Sequence, residues 1–228
     1  MLQDLLSVWF PQCCYGCGVV LPKKLPWLCL RCANQLPRTY YERDKNNSLQ
    51  SLVGKWFSVE AAYAPFYFQQ HNPIQELLHA LKYLGKKQLA HWFATQAAAF
   101  LHKDHPIYSC DAIVPVPLHP KRQRQRGYNQ IDLFGKYWAN QIGVPYLTDH
   151  LIRKRKTQTL VRMTKEARWE EVKDAFTLVG SHNYPHILLV DDIITTAATL
   201  TACGQTLLKG NVKKLSVMAI AHAYQLLP

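Results

Sequence analysis

The chain has 228 residues, and its 27 Lys and Arg against 15 Asp and Glu give a formal charge of +12. That length holds one full domain with at most a small appendage. An apolar fraction of 48% excludes a disordered chain, and no run of 18 apolar residues offers a membrane-spanning helix.

The strong positive balance points to polyanionic partners, either nucleic acid or phosphorylated small molecules. The start, MLQDLLSVWFPQCC, lacks a basic leading region and is interrupted by Asp4. It reads poorly as a secretory signal, so a cytoplasmic location is expected.

Five of the seven cysteines fall within the first 32 residues. Cys14-x2-Cys17 and Cys29-x2-Cys32 are two tight pairs separated by 11 residues. Each pair presents two thiolates from one turn, and two such turns complete a tetrahedral site. Disulfides would need an oxidising compartment, and a redox pair would sit beside a βαβ unit rather than in a Pro-rich segment. A closed structural Zn2+ site on Cys14, Cys17, Cys29 and Cys32 is therefore expected, with Cys13 as a spare thiol. Cys110 and Cys203 read as small buried apolar residues. Residues 1–40 form this module, and the polar stretch 41–55 reads as a loop. The expected division is a zinc-binding module with linker at 1–55 and a main domain at 56–228.

Residues 56–70 carry two short aromatic and β-branched runs around Pro65, which suggests a strand pair. From Pro73 the period changes. Ile74, Leu77, Leu78, Leu81 and Leu84 form a helical stripe, with Asn72 as N-cap and Pro73 in the first helical position. Leu89, Trp92, Phe93, Ala97, Phe100 and Leu101 mark a second helix. Residues 112–118 read as a buried strand leaving through prolines. Residues 129–142 read as a helix with Ile131, Phe134, Tyr137, Trp138 and Ile142 inward. Residues 144–151 are strand or loop, and the stretch to Phe176 is basic and irregular or partly helical. His186–Val190 is a strand, Thr199–Lys209 a helix and Lys214–Ala221 a strand. Strand, helix and strand in that order favour a parallel α/β sheet.

The densest chemistry lies in HILLVDDIITTAATL, His186 to Leu200. A buried strand runs into Asp191 and Asp192, and Thr195, Thr196, Ala197, Ala198 and Thr199 follow at a helix start. Ligands of open α/β sheets sit at the carboxyl ends of strands. A helix N-terminus with free N–H groups cradles phosphate, and carboxylates hold sugar hydroxyls directly or through Mg2+. The segment resembles the phosphoribosyl-pyrophosphate (PRPP) loop of type I phosphoribosyltransferases, with one departure: Ala197 stands where that family has Gly. If the loop requires a positive φ there, Ala costs about 1–2 kcal/mol. The resemblance implies a parallel-sheet type I phosphoribosyltransferase fold. It also implies catalytic acids Asp191 and Asp192 on the ribose and a 5′-phosphate on Thr195 to Thr199. Thr195 stands where purine-salvage relatives carry an Asp, which argues against that chemistry.

A second constellation is VPVPLHPKRQRQRGYNQ, Val114 to Gln130, in which Lys121, Arg122, Arg124 and Arg126 precede Gly127 and Tyr128. Such a loop suits a pyrophosphate, and equally a nucleic-acid backbone with Tyr128 stacking a base. Residues 121–173 hold 13 basic and 5 acidic residues, so 8 of the 12 net charges fall there.

The two cysteine pairs, VPLHPKRQRQRGYNQ, LLVDDIITTAAT and the element Leu81-Lys82-Tyr83 together resemble the ComF family, phosphoribosyltransferase-like proteins of natural transformation. This implies PRPP and Mg2+ as ligands, with Lys82, Pro117, Arg122 and Arg126 near the pyrophosphate. It further implies single-stranded DNA across Lys121, Arg124, Arg126, Tyr128, Arg153 and Arg155, beside a helicase-like competence partner. The alternative is an active phosphoribosyltransferase on another acceptor, with no DNA role. The ten histidines and six tryptophans are expected to be surface or packing residues, with His119 alone placed for a ligand role.

Overall fold

The computed structural model describes residues 11–22, 24–118, 123–124, 127–154, 175–180, 183–210 and 212–223. Lys121, Arg122, Arg126, Arg155 and His119, to which the sequence assigns ligand roles, lie outside them.

The first described elements surround the cysteine pairs: α1 (Leu30–Asn34), a 3-10 turn (Tyr41–Arg43) and α2 (Ser48–Gly54). The last two replace the loop expected for 41–55. Asn47 caps α2 by accepting from the Gln50 N–H at 2.9 Å, and Leu49 and Val53 are fully buried. One capped turn with two apolar residues at i, i+4 is too short for a periodicity signal, so polar composition masked it.

Next come β1 (Ala61–Tyr63), β2 (Phe66–Tyr67), α3 (Pro73–Tyr83) and α4 (Gln88–Phe100). Asn72 caps α3 as expected, accepting from the Gln75 N–H at 2.9 Å, and the stripe Ile74, Leu77, Leu78 and Leu81 is buried. β1 and β2 do not form the strand pair expected around Pro65. Both run parallel to a later strand, with Ala61 opposite Ser216 and Phe66 opposite Ala221. They are one edge interrupted at Ala64 and Pro65, because Pro has no N–H for the ladder.

The remainder is β3 (Ala112–Pro115), α5 (Gln130–Ile142), β4 (Leu151–Arg153), β5 (Phe176–Leu178), β6 (His186–Ile194), α6 (Ala198–Leu208) and β7 (Lys214–His222). α5 starts at Asn129, whose side chain accepts from the Ile131 N–H, and ends at Gly143 with φ 80°. Ile131, Phe134 and Trp138 are buried as expected, whereas Tyr137 and Ile142 are only half-buried. β4 and β5 form a separate antiparallel pair.

The main sheet has the order β1-β7-β6-β3, entirely parallel, and is the expected parallel α/β architecture. Its central strands are continuous apolar runs, as a sheet covered on both faces requires. After β3 the chain passes through α5 and returns at Tyr146, which bridges Ile113 on the outer side of β3. After β6 it passes through α6 to β7 on the inner side. Right-handed crossovers in opposite directions put α5 and α6 on opposite faces. The connections therefore part at the carboxyl ends of β3 and β6, which makes that crevice the topological switch point.

The outer edge of β1 is occupied by side chains. The Ala62 N–H donates to Gln50 Oε1 at 3.3 Å, and Asn47 Nδ2 donates to the Ala62 carbonyl at 3.0 Å.

Candidate functional site

β6 delivers two carboxylates to the switch point. The strand does not stop at Val190 but continues through Asp191 and Asp192 to Ile194, with Asp191 opposite Ala219. Successive strand residues face opposite sides, so the two acids part.

Asp191 faces a hollow of about 50 Å³ lined also by residues 193–200. Thr195, Thr196, Ala197, Ala198 and Thr199 all lie on that wall, at the N-terminus of α6. Burial, and then the adjacent Asp192 carboxylate, push the Asp191 carboxyl up to about 8. Ala197 is 4% exposed and holds φ 59° and ψ 5°, the left-handed conformation that the motif would otherwise give to Gly. The strain of about 1–2 kcal/mol is therefore present, stabilised by the packing around it.

Asp192 faces the other side. Lys82 Nζ lies 2.9 Å from its Oδ2, and Gln130 Nε2 donates to the same oxygen. Lys82 comes from the last turn of α3 and Gln130 from the first turn of α5, so this carboxylate ties two helices to the sheet. Next to it the Tyr128 hydroxyl donates to the Leu81 carbonyl, and Lys87 Nζ sits 4.8 Å from the Tyr128 ring centre.

Of the residues singled out from sequence, Asp191 and the 195–199 turn share one hollow, while Lys82 meets Asp192 behind it. Pro117 is half-buried just past β3. Arg124 is exposed, and Arg153 lies over the Phe176 ring at 5.4 Å. Gln130 was missed as a site residue. Its partner stands 62 positions away, and no spacing rule links them.

The second centre is N-terminal. The sulfur atoms of Cys14, Cys17, Cys29 and Cys32 all lie within 4.8 Å of one another. Cys17 and Cys29 are 3.7 Å apart. A tetrahedral site with metal–sulfur bonds of about 2.3 Å needs sulfur separations of about 3.8 Å, so the four thiols fit a metal ion. Backbone N–H groups point at the sulfurs: Gly16 and Cys29 at Cys14 Sγ (3.4 and 3.3 Å), and Cys32 at Cys29 Sγ (3.5 Å). Burial opposes ionisation of Cys14, yet the N–H groups of Cys29, Cys17 and Gly16, with the Cys17 thiol, outweigh it and bring its thiol down to about 6. Burial and the neighbouring thiols push Cys32 up to about 12. A Cβ at Gly16 would stand 2.8 Å from Cys32 Sγ, so only Gly lets the two knuckles close. Cys13 is exposed and outside the cluster.

No protein-family model matches the chain. Competence protein F of Haemophilus influenzae is 29% identical over 222 residues, covering 92% of this chain and 90% of that protein. The chain is homologous to the ComF competence proteins. Two further relatives are similar over much of the chain. DNA utilization protein YhgH of Escherichia coli is 28% identical over 86% of this chain and 84% of its own. Competence protein ComFC of Bacillus subtilis is 25% identical over 68% and 62%. Among solved structures, the B. subtilis glutamine PRPP amidotransferase overlaps 63% of this ComF homologue and 26% of its own chain, with 18% identity and a TM-score of 0.37. An adenine phosphoribosyltransferase overlaps 60% and 72%, with 19% identity and a TM-score of 0.34. Among the described residues no helix is long and apolar enough to cross a membrane.

Proposed function

We propose that this ComF homologue is a phosphoribosyltransferase-like protein of DNA uptake that binds PRPP with Mg2+ and handles single-stranded DNA. One observation carries the reading: an acid followed by five hollow-lining residues at a helix N-terminus, located at the switch point of a parallel sheet. Asp191 serves the ribose hydroxyls from the hollow, Asp192 braces that strand end through Lys82 and Gln130, and residues Thr195 to Thr199 serve the 5′-phosphate. Lys82, Pro117, Arg122 and Arg126 serve the pyrophosphate. When bound, Mg2+ supplies charge neutralisation for the diphosphate. The chain's own part is to orient the sugar on carboxylates and the phosphate on backbone N–H groups. The names of the relatives, competence and DNA utilization, support the DNA role, with Lys121, Arg124, Arg126, Tyr128, Arg153 and Arg155 as its contacts. Residues 1–55 act as a zinc-stabilised module with linker, residues 56–228 as the ligand domain, and a helicase-like competence protein as partner in the cytoplasm.

Two titrations test this. Calorimetry with PRPP and Mg2+ should show binding that Asp191→Asn weakens at least tenfold; no heat at millimolar ligand overturns the pocket. Fluorescence anisotropy with a single-stranded oligonucleotide should show affinity falling steeply with salt, as phosphate contacts require. No binding at low salt overturns the DNA role.

A further inference from the structure

A second cleft lies beside the β1 edge of the sheet, two strands away from β6 and near the opposite strand end. It encloses about 500 Å³, within the size range of small-molecule sites. Its walls come from the 3-10 turn, the start of β1 and the segment after α4. Tyr41, Ala61, Ala62 and Pro106 give an apolar floor, and Glu42, Asp44, Glu60 and Asp104 give carboxylates. Among the described residues, Lys45 is the single Lys or Arg on that lining. In a chain of net charge +12, four of only 15 acidic residues converge there.

Glu42 separates this cleft from a merely acidic surface. Its side chain is 8% exposed. Oε1 accepts from Arg38 Nη2 at 2.6 Å, with Arg43 Nε at 3.8 Å, whereas Oε2 is buried with no hydrogen-bond partner among the described residues. A buried carboxylate oxygen without a donor is costly, and a ligand N–H removes that cost. The remaining charges are partly engaged: Glu60 with Lys214 at 3.4 Å, and Asp104 with His102 at 3.1 Å. Among the described residues, only the four cysteines bring three or more ligand atoms within metal-binding reach. The carboxylates here are thus too dispersed for a metal ion. They suit a cation whose charge is spread over several N–H donors.

We propose that this cleft binds an organic cation, a guanidinium or ammonium group on an apolar stem. The head group donates to Glu42 Oε2 between the carboxylates of Asp44 and Asp104, and the stem lies on Tyr41 and Pro106. The source is either a free amine or a basic side chain of a protein, and the chemistry is shared. The site is independent of the β6 turn.

The test is calorimetry on the full chain with agmatine and, separately, with a blocked Gly-Arg-Gly peptide. Three proteins are compared: wild type, Glu42→Gln, and Asp44→Asn with Asp104→Asn. The double variant alters only exposed carboxylates and keeps the proposal testable if Glu42→Gln unfolds. Wild type should bind at least one probe at about millimolar affinity or better. Glu42→Gln should weaken it tenfold or more and the double variant about threefold, with PRPP binding unchanged in both. Tighter peptide binding assigns a protein side chain as the source, and tighter agmatine binding a free amine. No heat from either probe up to about 10 mM overturns the site. So does equal affinity in wild type and the double variant.

Discussion

The cysteine module and the β6 turn are built in opposite ways. The module gathers four sulfurs from two short knuckles, and its described length offers few fully buried apolar residues: Cys14, Leu21, Leu28 and Cys32 fall below a tenth exposed, and none is at zero. The β6 turn stands on a strand whose residues Ile187 to Val190 are all fully buried between hydrogen-bonded neighbours. In the first region local covalent spacing sets the geometry, and the proposed zinc ion would hold it. In the second a non-local core holds a strained turn whether or not a ligand is present. Two sites in one chain thus draw stability from different sources, and they should fail separately.

The largest effect should come from metal removal. Structural zinc sites contribute roughly 10 kcal/mol or more of binding free energy, which is folding free energy for the segment that forms them. Chelation, or Cys32→Ser, should abolish one equivalent of bound zinc and open the N-terminal 40 residues to protease, while the sheet keeps its circular-dichroism signal. Metal analysis with limited proteolysis reads this, and cooperative loss of both regions would erase the contrast.

Breaking the Lys82–Asp192 pair strikes the other region. The partners are 16% and 11% exposed, and removal of one strands a charge, so Lys82→Met should cost about 3 kcal/mol in denaturant unfolding. Zinc content should not change.

Acid should also act on the sheet first. Burial lowers His222 from 6.5 to about 4, with its Nδ1 2.7 Å from the Tyr41 hydroxyl. The unfolded chain therefore takes up the proton before the folded one. His222 contributes full stability above pH 6.5 and loses about 3 kcal/mol as pH falls to 4. Asp191 has the reverse sign. Its raised folded value favours the protonated fold, a contribution lost as pH rises toward 8. Urea unfolding across pH 4–8 should reveal both slopes, and His222→Gln should reduce the acid limb without removing it, because burial also lowers His105 to about 4.

Packing gives a smaller effect. A Cβ at Gly204 on α6 would stand 2.4 Å from the Phe57 ring, so Gly204→Ala should cost about 1–3 kcal/mol. The smallest change has the opposite direction: Ala197→Gly should relieve about 1 kcal/mol of strain and raise the melting temperature slightly.

The legible parts of the sequence were those whose signal is local. The stripe on α3, its cap Asn72, the four cysteines and the acid–threonine run each lie within about 20 residues. What escaped was set by long-range pairing. β1 and β2 read as a strand pair because their partner, β7, begins about 150 residues later. Asp191 and Asp192 read as one pair because adjacency in sequence hides that a strand turns neighbours to opposite faces. Gln130 gave no sign of its bond to Asp192, and α2 was too short to show a period.

The side chains of Asn47 and Gln50 have a consequence outside both sites. They occupy the hydrogen-bonding groups of Ala62 on the last strand of the sheet. An uncapped parallel edge offers a template on which another chain can extend the ladder. Two amides, one from the cap and one from the first turn of α2, close that template, so the apolar central strands do not become the start of intermolecular polymerisation.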